Sequence, residues 1–169
     1  STVLISASEQ WEARRKAAAA AEYPPQGVRG VCFSRMNDYV LEFTEYAAEA
    51  NDNIAVVVMI ESKQGVENID AILAVDGVDG VFIGPYDMSG SYGLVGQTDH
   101  PIVNAACQKI VAACARHGKS AGLHLVNPTP EAIAKTITDG FTLIALGVDS
   151  VFLNQAAQAA LTAARLPTA

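Results

Sequence analysis

The chain has 169 residues, half of them apolar, with 18 acidic against 11 basic side chains and a formal net charge of −7. That length predicts one domain able to bury about two-thirds of its unfolded surface, and it falls short of the roughly 250 residues of a complete (β/α)8 barrel. The acidic balance excludes nucleic acid or an anionic membrane as the main partner, because both demand a basic surface.

In chain order, Thr2–Ile5 reads as a first strand, and no cationic stretch stands before it, so a secretory signal is not expected. Ser6 with Glu9 forms a capping-box pattern that opens an alanine-rich helix ending before Pro24-Pro25. Gly30–Phe33 is a short apolar run of strand type. Tyr39 to Ala50 carries Tyr39, Val40, Phe43, Tyr46 and Ala47 at helical spacing. The longest unbroken apolar stretch, Ile54 to Ile60, has seven residues. A membrane helix needs about 20, so this stretch is a buried strand, and a soluble, cytoplasmic protein is expected.

Gln64 to Val75 repeats the helical period through Val66, Ile69, Ile72 and Leu73. Gly80–Gly84, Ala121–Val126 and Leu143–Leu146 are further strands. Ile102 to His117 and Glu131 to Asp139 are helices stopped by Gly118 and Gly140. Thr129-Pro130-Glu131 supplies an N-cap, a proline at the first helical position and an acid in the first turn. Asn154 to Arg165 closes the chain as a helix. Val- and Ile-rich strands alternating with helices imply right-handed βαβ units around a parallel sheet. Cys107 and Cys114 lie seven apart on one helical face, a spacing that suits buried, reduced core residues, and Cys32 makes the count odd. Two stretches break the rhythm, Tyr23 to Asn37 and the glycine-rich Gly84 to His100.

Parallel α/β folds bind ligands at the carboxyl ends of their strands. Here four successive strands end near Glu61, Asp87, His124 and Asp149. Two carboxylates from adjacent strand ends can hold Mg²⁺ or Mn²⁺, with water or substrate oxygens completing the sphere. The alternative is that Glu61 and Asp87 only cap the helices that follow. The segment Gly84-Pro85-Tyr86-Asp87-Met88-Ser89-Gly90-Ser91 offers backbone N–H groups to a small carboxylate, or is simply a tight turn. His124 is either a satisfied structural residue or a catalytic group. His100 suits a helix start, and His117 a helix C-terminus. No Gly-x-Ser-x-Gly, Gly-x-Gly-x-x-Gly or Walker pattern occurs.

Met59-Ile60-Glu61-Ser62, then Gly65-Val66-Glu67-Asn68-Ile69-Asp70-Ala71-Ile72-Leu73, then Val78-Asp79-Gly80-Val81-Phe82-Ile83-Gly84-Pro85-Tyr86-Asp87-Met88-Ser89 closely resembles the HpcH/HpaI aldolase family. Upstream, Tyr23-Pro24-Pro25-x-Gly27-Val28-Arg29-Gly30 is similar to another motif of that family. The resemblance implies a (β/α)8 barrel of TIM type and a divalent-metal-dependent (class II) aldolase that takes Mg²⁺, Mn²⁺ or Co²⁺. Such enzymes cleave 4-hydroxy-2-oxo acids to pyruvate, or a related 2-oxo acid, plus an aldehyde, through a metal-stabilised enolate.

By the same resemblance, Glu61 and Asp87 match the metal ligands. Tyr86 and Asp87, with Gly84 and Pro85 before them, match the backbone that receives the substrate carboxylate. Met59 stands where many members carry a substrate-binding glutamine, a departure from the pattern. The family's catalytic histidine and arginine fall before the region matched, and Ser1–Ile5 aligns with the fourth barrel strand. Residues 1–169 are thus expected to form one domain holding about the last five βα units, barrel strands four to eight. A homo-oligomer and a small 2-oxo acid substrate are expected as partners. Other pyruvate-enolate chemistry, such as oxaloacetate decarboxylation or the macrophomate synthase or acyl-CoA lyase type, is the nearest alternative. A non-catalytic barrel fragment is the alternative from another class.

Overall fold

Short, mostly apolar runs gather into one sheet, the central ones Val- and Ile-rich with apolar side chains for both faces. A computed structural model describes residues 2–5, 11–32, 38–39 and 41–165. Five strands, β1 (Thr2–Ile5), β2 (Ala55–Ile60), β3 (Gly80–Ile83), β4 (Ser120–Leu125) and β5 (Leu143–Leu146), lie side by side in sequence order. Every pairing between them is parallel. The helices are α1 (Trp11–Ala21), α2 (Phe43–Glu49), α3 (Lys63–Glu67), α4 (Ile69–Leu73), α5 (Pro85–Ser91), α6 (Pro101–His117), α7 (Pro130–Thr138) and α8 (Asp149–Arg165). The architecture is the expected α/β one, a partial (β/α)8 barrel.

Register decides which side chains meet the helices. Val58 stands opposite Val81, Ile60 opposite Ile83, and Val81 opposite Ala121. These pack with Ala18 and Ala21 of α1, Ile69, Ile72 and Leu73 of α4, and Ile110 and Cys114 of α6 in a single core. Each large aliphatic side chain buried there contributes about 1.5–3 kcal/mol. The period of two sends Leu4, Met59, Phe82, Gly122 and His124 to the other face. On that face the Phe82 ring lies across its register partner Gly122, where a Cβ would come 2.5 Å from Cδ2.

Helix ends follow the local chemistry. Thr129 Oγ1 accepts the Ala132 N–H at the start of α7. Gly118 ends α6 with a left-handed φ of 63°, a conformation that side chains with a Cβ disfavour. His100 is the N-cap of α6, its Nδ1 accepting from Ile102 N–H, as its place before Pro101 suggests.

Five expectations need correction. Gly30–Cys32 form no strand and are exposed; just before them the chain folds back on α1, with Val28 and Arg29 donating to the Ala19 and Glu22 carbonyls. The helix expected from Gln64 to Val75 is broken at Asn68 into α3 and α4, since Asn and the preceding Gly65 both weaken helix propagation. The glycine-rich stretch from Gly84 contains α5, and α8 begins five residues earlier than the apolar pattern marks, at Asp149. Helix α2 is shorter than the Tyr39–Ala50 pattern. Phe33 and the Ser6–Glu9 capping pair lie outside the described residues.

Candidate functional site

The carboxyl ends of β2 and β3 adjoin, and the ladder between them continues past the strands: Gly84 N–H donates to the Ile60 carbonyl at 3.0 Å. That bond sets Glu61 beside Gly84. A Cβ on Gly84 would approach Glu61 Cβ at 3.1 Å and Oε2 at 3.3 Å, so the missing side chain is the room in which the half-buried Glu61 carboxylate lies. Glu61 does not cap α3. Ser62 does, its Oγ accepting the Gly65 N–H at 3.1 Å, which leaves the glutamate out of the capping role for which it was a candidate.

Asp87 stands in the first turn of α5 and is exposed, behind Pro85 at the first helical position. Tyr86 is exposed too, whereas Met88 is fully buried and pins the helix to the core. Met59 is half-buried on the sheet face away from the helical core, in register with Phe82. His124 stands one strand further along that face. Its Nε2 donates to the Gly147 carbonyl at 2.9 Å, a bond that ties the ends of β4 and β5 together. Asp149 accepts from its neighbour Ser150 N–H at 2.6 Å and starts α8. An open groove of about 990 Å³ takes in Pro85, Tyr86 and His124 together with Asn104, Cys107 and Asn127, and runs out between α6 and α7. Glu61, Met59 and Asp87 are not part of its lining.

Among the described residues no group of three or more His, Cys, Asp or Glu side chains is gathered as a cation cage. At this rim Glu61 directly follows β2 and Asp87 stands in the first turn of α5, a pair of carboxylates beside adjoining strand exits. That set suits a hard cation such as Mg²⁺, which keeps several waters and takes only one or two protein carboxylates. The space at Gly84 fits the same use, since a side chain there would press on Glu61 Oε2.

Several structural partners have no sequence signature. Asp79 joins β2 to β3, its Oδ2 accepting Val56 N–H at 2.7 Å while its own N–H donates to Val56 O at 2.8 Å. Ser89, fully buried, donates to the Tyr86 carbonyl at 2.6 Å and accepts from Gly96 N–H at 3.0 Å. The Tyr23–Gly30 motif serves α1: Gly27 approaches the Ala19 and Glu22 carbonyls so closely that a Cβ would stand 2.3 Å from each. Arg29 then lies over the Tyr23 ring, 4.6 Å from its centroid, and donates to Tyr46 Oη at 3.2 Å.

Burial pushes the Cys107 and Cys114 thiols up to about 11, which disfavours the thiolate at neutral pH. Burial also raises Tyr92, with Glu67 and Cys107 adding to it. Asp70 is held below the usual carboxylate range by hydrogen bonds from Arg116 and then His117, on the exposed side of α4 and α6.

Comparison with known proteins gives a consistent set of likenesses. The family model described as HpcH/HpaI aldolase/citrate lyase matches residues 1–156. A 5-keto-4-deoxy-D-glucarate aldolase of Shigella sonnei is 38% identical over 155 residues, covering 92% of this chain and 60% of the relative. The crystal structure of an HpcH/HpaI aldolase from Desulfitobacterium hafniense superposes with a TM-score of 0.85 at 33% identity, covering 98% of this chain and 64% of that one. An HpcH/HpaI aldolase/citrate lyase family protein from Burkholderia cenocepacia gives 0.88 at 29% identity, covering 98% and 65%. The chain therefore spans less than two-thirds of the length of these relatives.

Proposed function

Since the chain belongs to the HpcH/HpaI aldolase/citrate lyase family, we propose that it carries the metal- and carboxylate-binding part of a divalent-metal-dependent aldolase acting on 4-hydroxy-2-oxo acids. One observation carries this reading. Glu61 lies in the space left by Gly84, directly before the Ser62 cap of α3, and adjoins the strand end that leads to Asp87.

Glu61 and Asp87 would hold the cation, and the backbone N–H groups of Tyr86 and Asp87 would receive the substrate carboxylate by charge-assisted hydrogen bonds. A bound Mg²⁺, Mn²⁺ or Co²⁺ supplies Lewis-acid stabilisation of the negative charge that develops when the carbon–carbon bond breaks. Gly84 and Pro85 shape the backbone that places those N–H groups. Met59 presents an apolar thioether beside the site, so this chain recognises the carboxylate through backbone rather than through a side-chain amide at that position. His124, committed to the Gly147 carbonyl through Nε2, steadies the rim. The base that takes the hydroxyl proton, and the arginine that faces the keto oxygen, belong to barrel units before the matched region by the family pattern. One domain over residues 1–169, self-association and a 2-oxo acid as the small-molecule partner are parts of the same proposal. No helix among the described residues is long and apolar enough to cross a membrane.

Titration calorimetry of Mg²⁺ or Mn²⁺ with pyruvate tests it. The native chain should give binding heat that Glu61→Ala loses, and identical heats from the two would overturn the reading. Product analysis with oxaloacetate and with 4-hydroxy-2-oxo acids then separates aldol cleavage from decarboxylation.

A further inference from the structure

Two tight turns leave the sheet beside each other, one after Glu61 and one after Gly84, and a single hydroxyl joins them. Ser91, the last residue of α5, accepts the Lys63 N–H at 2.9 Å and donates to the Met88 carbonyl at 2.9 Å. Lys63 opens α3 two residues after Glu61, and its N–H has no partner inside that helix. Met88 follows Asp87 directly, and its side chain is fully buried in the core. One oxygen atom therefore ties the segment that carries Glu61 to the segment that carries Asp87, across 28 residues of chain. The rest of α5 is secured separately by Ser89, which bonds the Tyr86 carbonyl and the Gly96 N–H.

We propose that Ser91 is a positioning residue that sets the spacing of the Glu61 and Asp87 carboxylates for a divalent cation. The inference rests on the metal-binding reading above and adds a residue to it. Ser91 is exposed, so water can satisfy the Lys63 N–H and the Met88 carbonyl when the hydroxyl is removed. Water restores those hydrogen bonds but not the link between the two turns. Loss of Ser91 should thus widen the range of carboxylate separations while leaving the fold stable. Threonine keeps a hydroxyl at the same position and should keep the link.

The test is Mn²⁺ affinity measured by electron paramagnetic resonance on the full chain, with the apo Tm recorded for every variant. Ser91→Ala should weaken Mn²⁺ binding about tenfold, the lower end of what loss of an outer-shell partner causes. Its apo Tm should stay within about 2 °C of the native chain, and Ser91→Thr should bind Mn²⁺ as the native chain does. Native affinity in Ser91→Ala, while Glu61→Gln has lost the metal, overturns the role of Ser91 and leaves the metal site standing. Native affinity in Glu61→Gln overturns the metal site, and the role of Ser91 with it. A fall in Tm and affinity together in Ser91→Ala, not restored by Ser91→Thr, also overturns the role, because it makes the defect one of folding.

Discussion

Helices α6 and α8 have the same length, 17 residues, and both are rich in alanine, yet they use their apolar residues differently. Helix α6 buries Val103, Ala106, Ile110, Val111, Ala113 and Cys114, whereas α8 buries none of its residues. The difference lies in their surroundings. Helix α6 spans β3 and β4, interior strands with a neighbour on each side, and packs on α4. Helix α8 follows β5, which has one partner strand among the described residues and a half-exposed burial pattern. Phe152, Leu153 and Leu161 of α8 accordingly face solvent. An amphipathic pattern states that a helix has an apolar face; only its neighbours decide whether that face is covered.

That contrast can be broken by measurement. Ile110→Ala, at a position with no exposure, should cost about 3 kcal/mol in denaturant unfolding. A loss below about 1 kcal/mol would mean that α6 is not part of the core. The thiols of α6 probe the same packing chemically. With pKa values pushed up to about 11, Cys107 and Cys114 should alkylate at pH 8 on the order of a hundredfold more slowly than an ordinary thiol. The exposed Cys32 should therefore be modified first, and equal labelling of all three would contradict the burial of α6.

On α8, Leu153→Ala should change stability by no more than about 0.5 kcal/mol, because Leu153 is 73% exposed. A cost matching that of Ile110→Ala would show α8 to be covered in solution. The smallest effect is expected where α4 meets the end of α6. Asp70 has its pKa lowered in the folded state, so its contribution is present above the ordinary carboxylate pKa and is lost as pH falls through the folded value. The Tm curves of native and Asp70→Asn protein should converge in acid; a gap that grows as pH falls would reverse the sign of the interaction.

Much of the architecture was legible in the amino-acid order because buried parallel strands are written as β-branched runs, as in Val56-Val57-Val58. The same rule misleads at Gly30–Phe33, where the described residues find no partner strand and the chain just before them caps α1. The helix break at Asn68 is weakly written, since one asparagine shifts a balance that packing usually decides. Glu61 and Asp87 were legible as acids that end apolar runs. Ser62, Ser89 and Ser91 were not, because a serine looks alike whether it faces water or bridges two turns. The Lys63–Ser91 bond joins residues far apart in sequence, and no local pattern encodes it.

The strands lie in the sheet in their order along the chain, and the segments between them differ in length. Residues 61–79 join β2 to β3, whereas residues 6–54 separate β1 from β2. Closing a loop costs entropy that rises with the logarithm of its length, so the β2–β3 pair costs less to close than the β1–β2 pair while the chain is still open. Glu61 and Asp87 stand at the exits of that pair. The proposed chemistry is therefore mounted on strands that the chain joins over a short stretch, and damage to that pairing is inherited by the site.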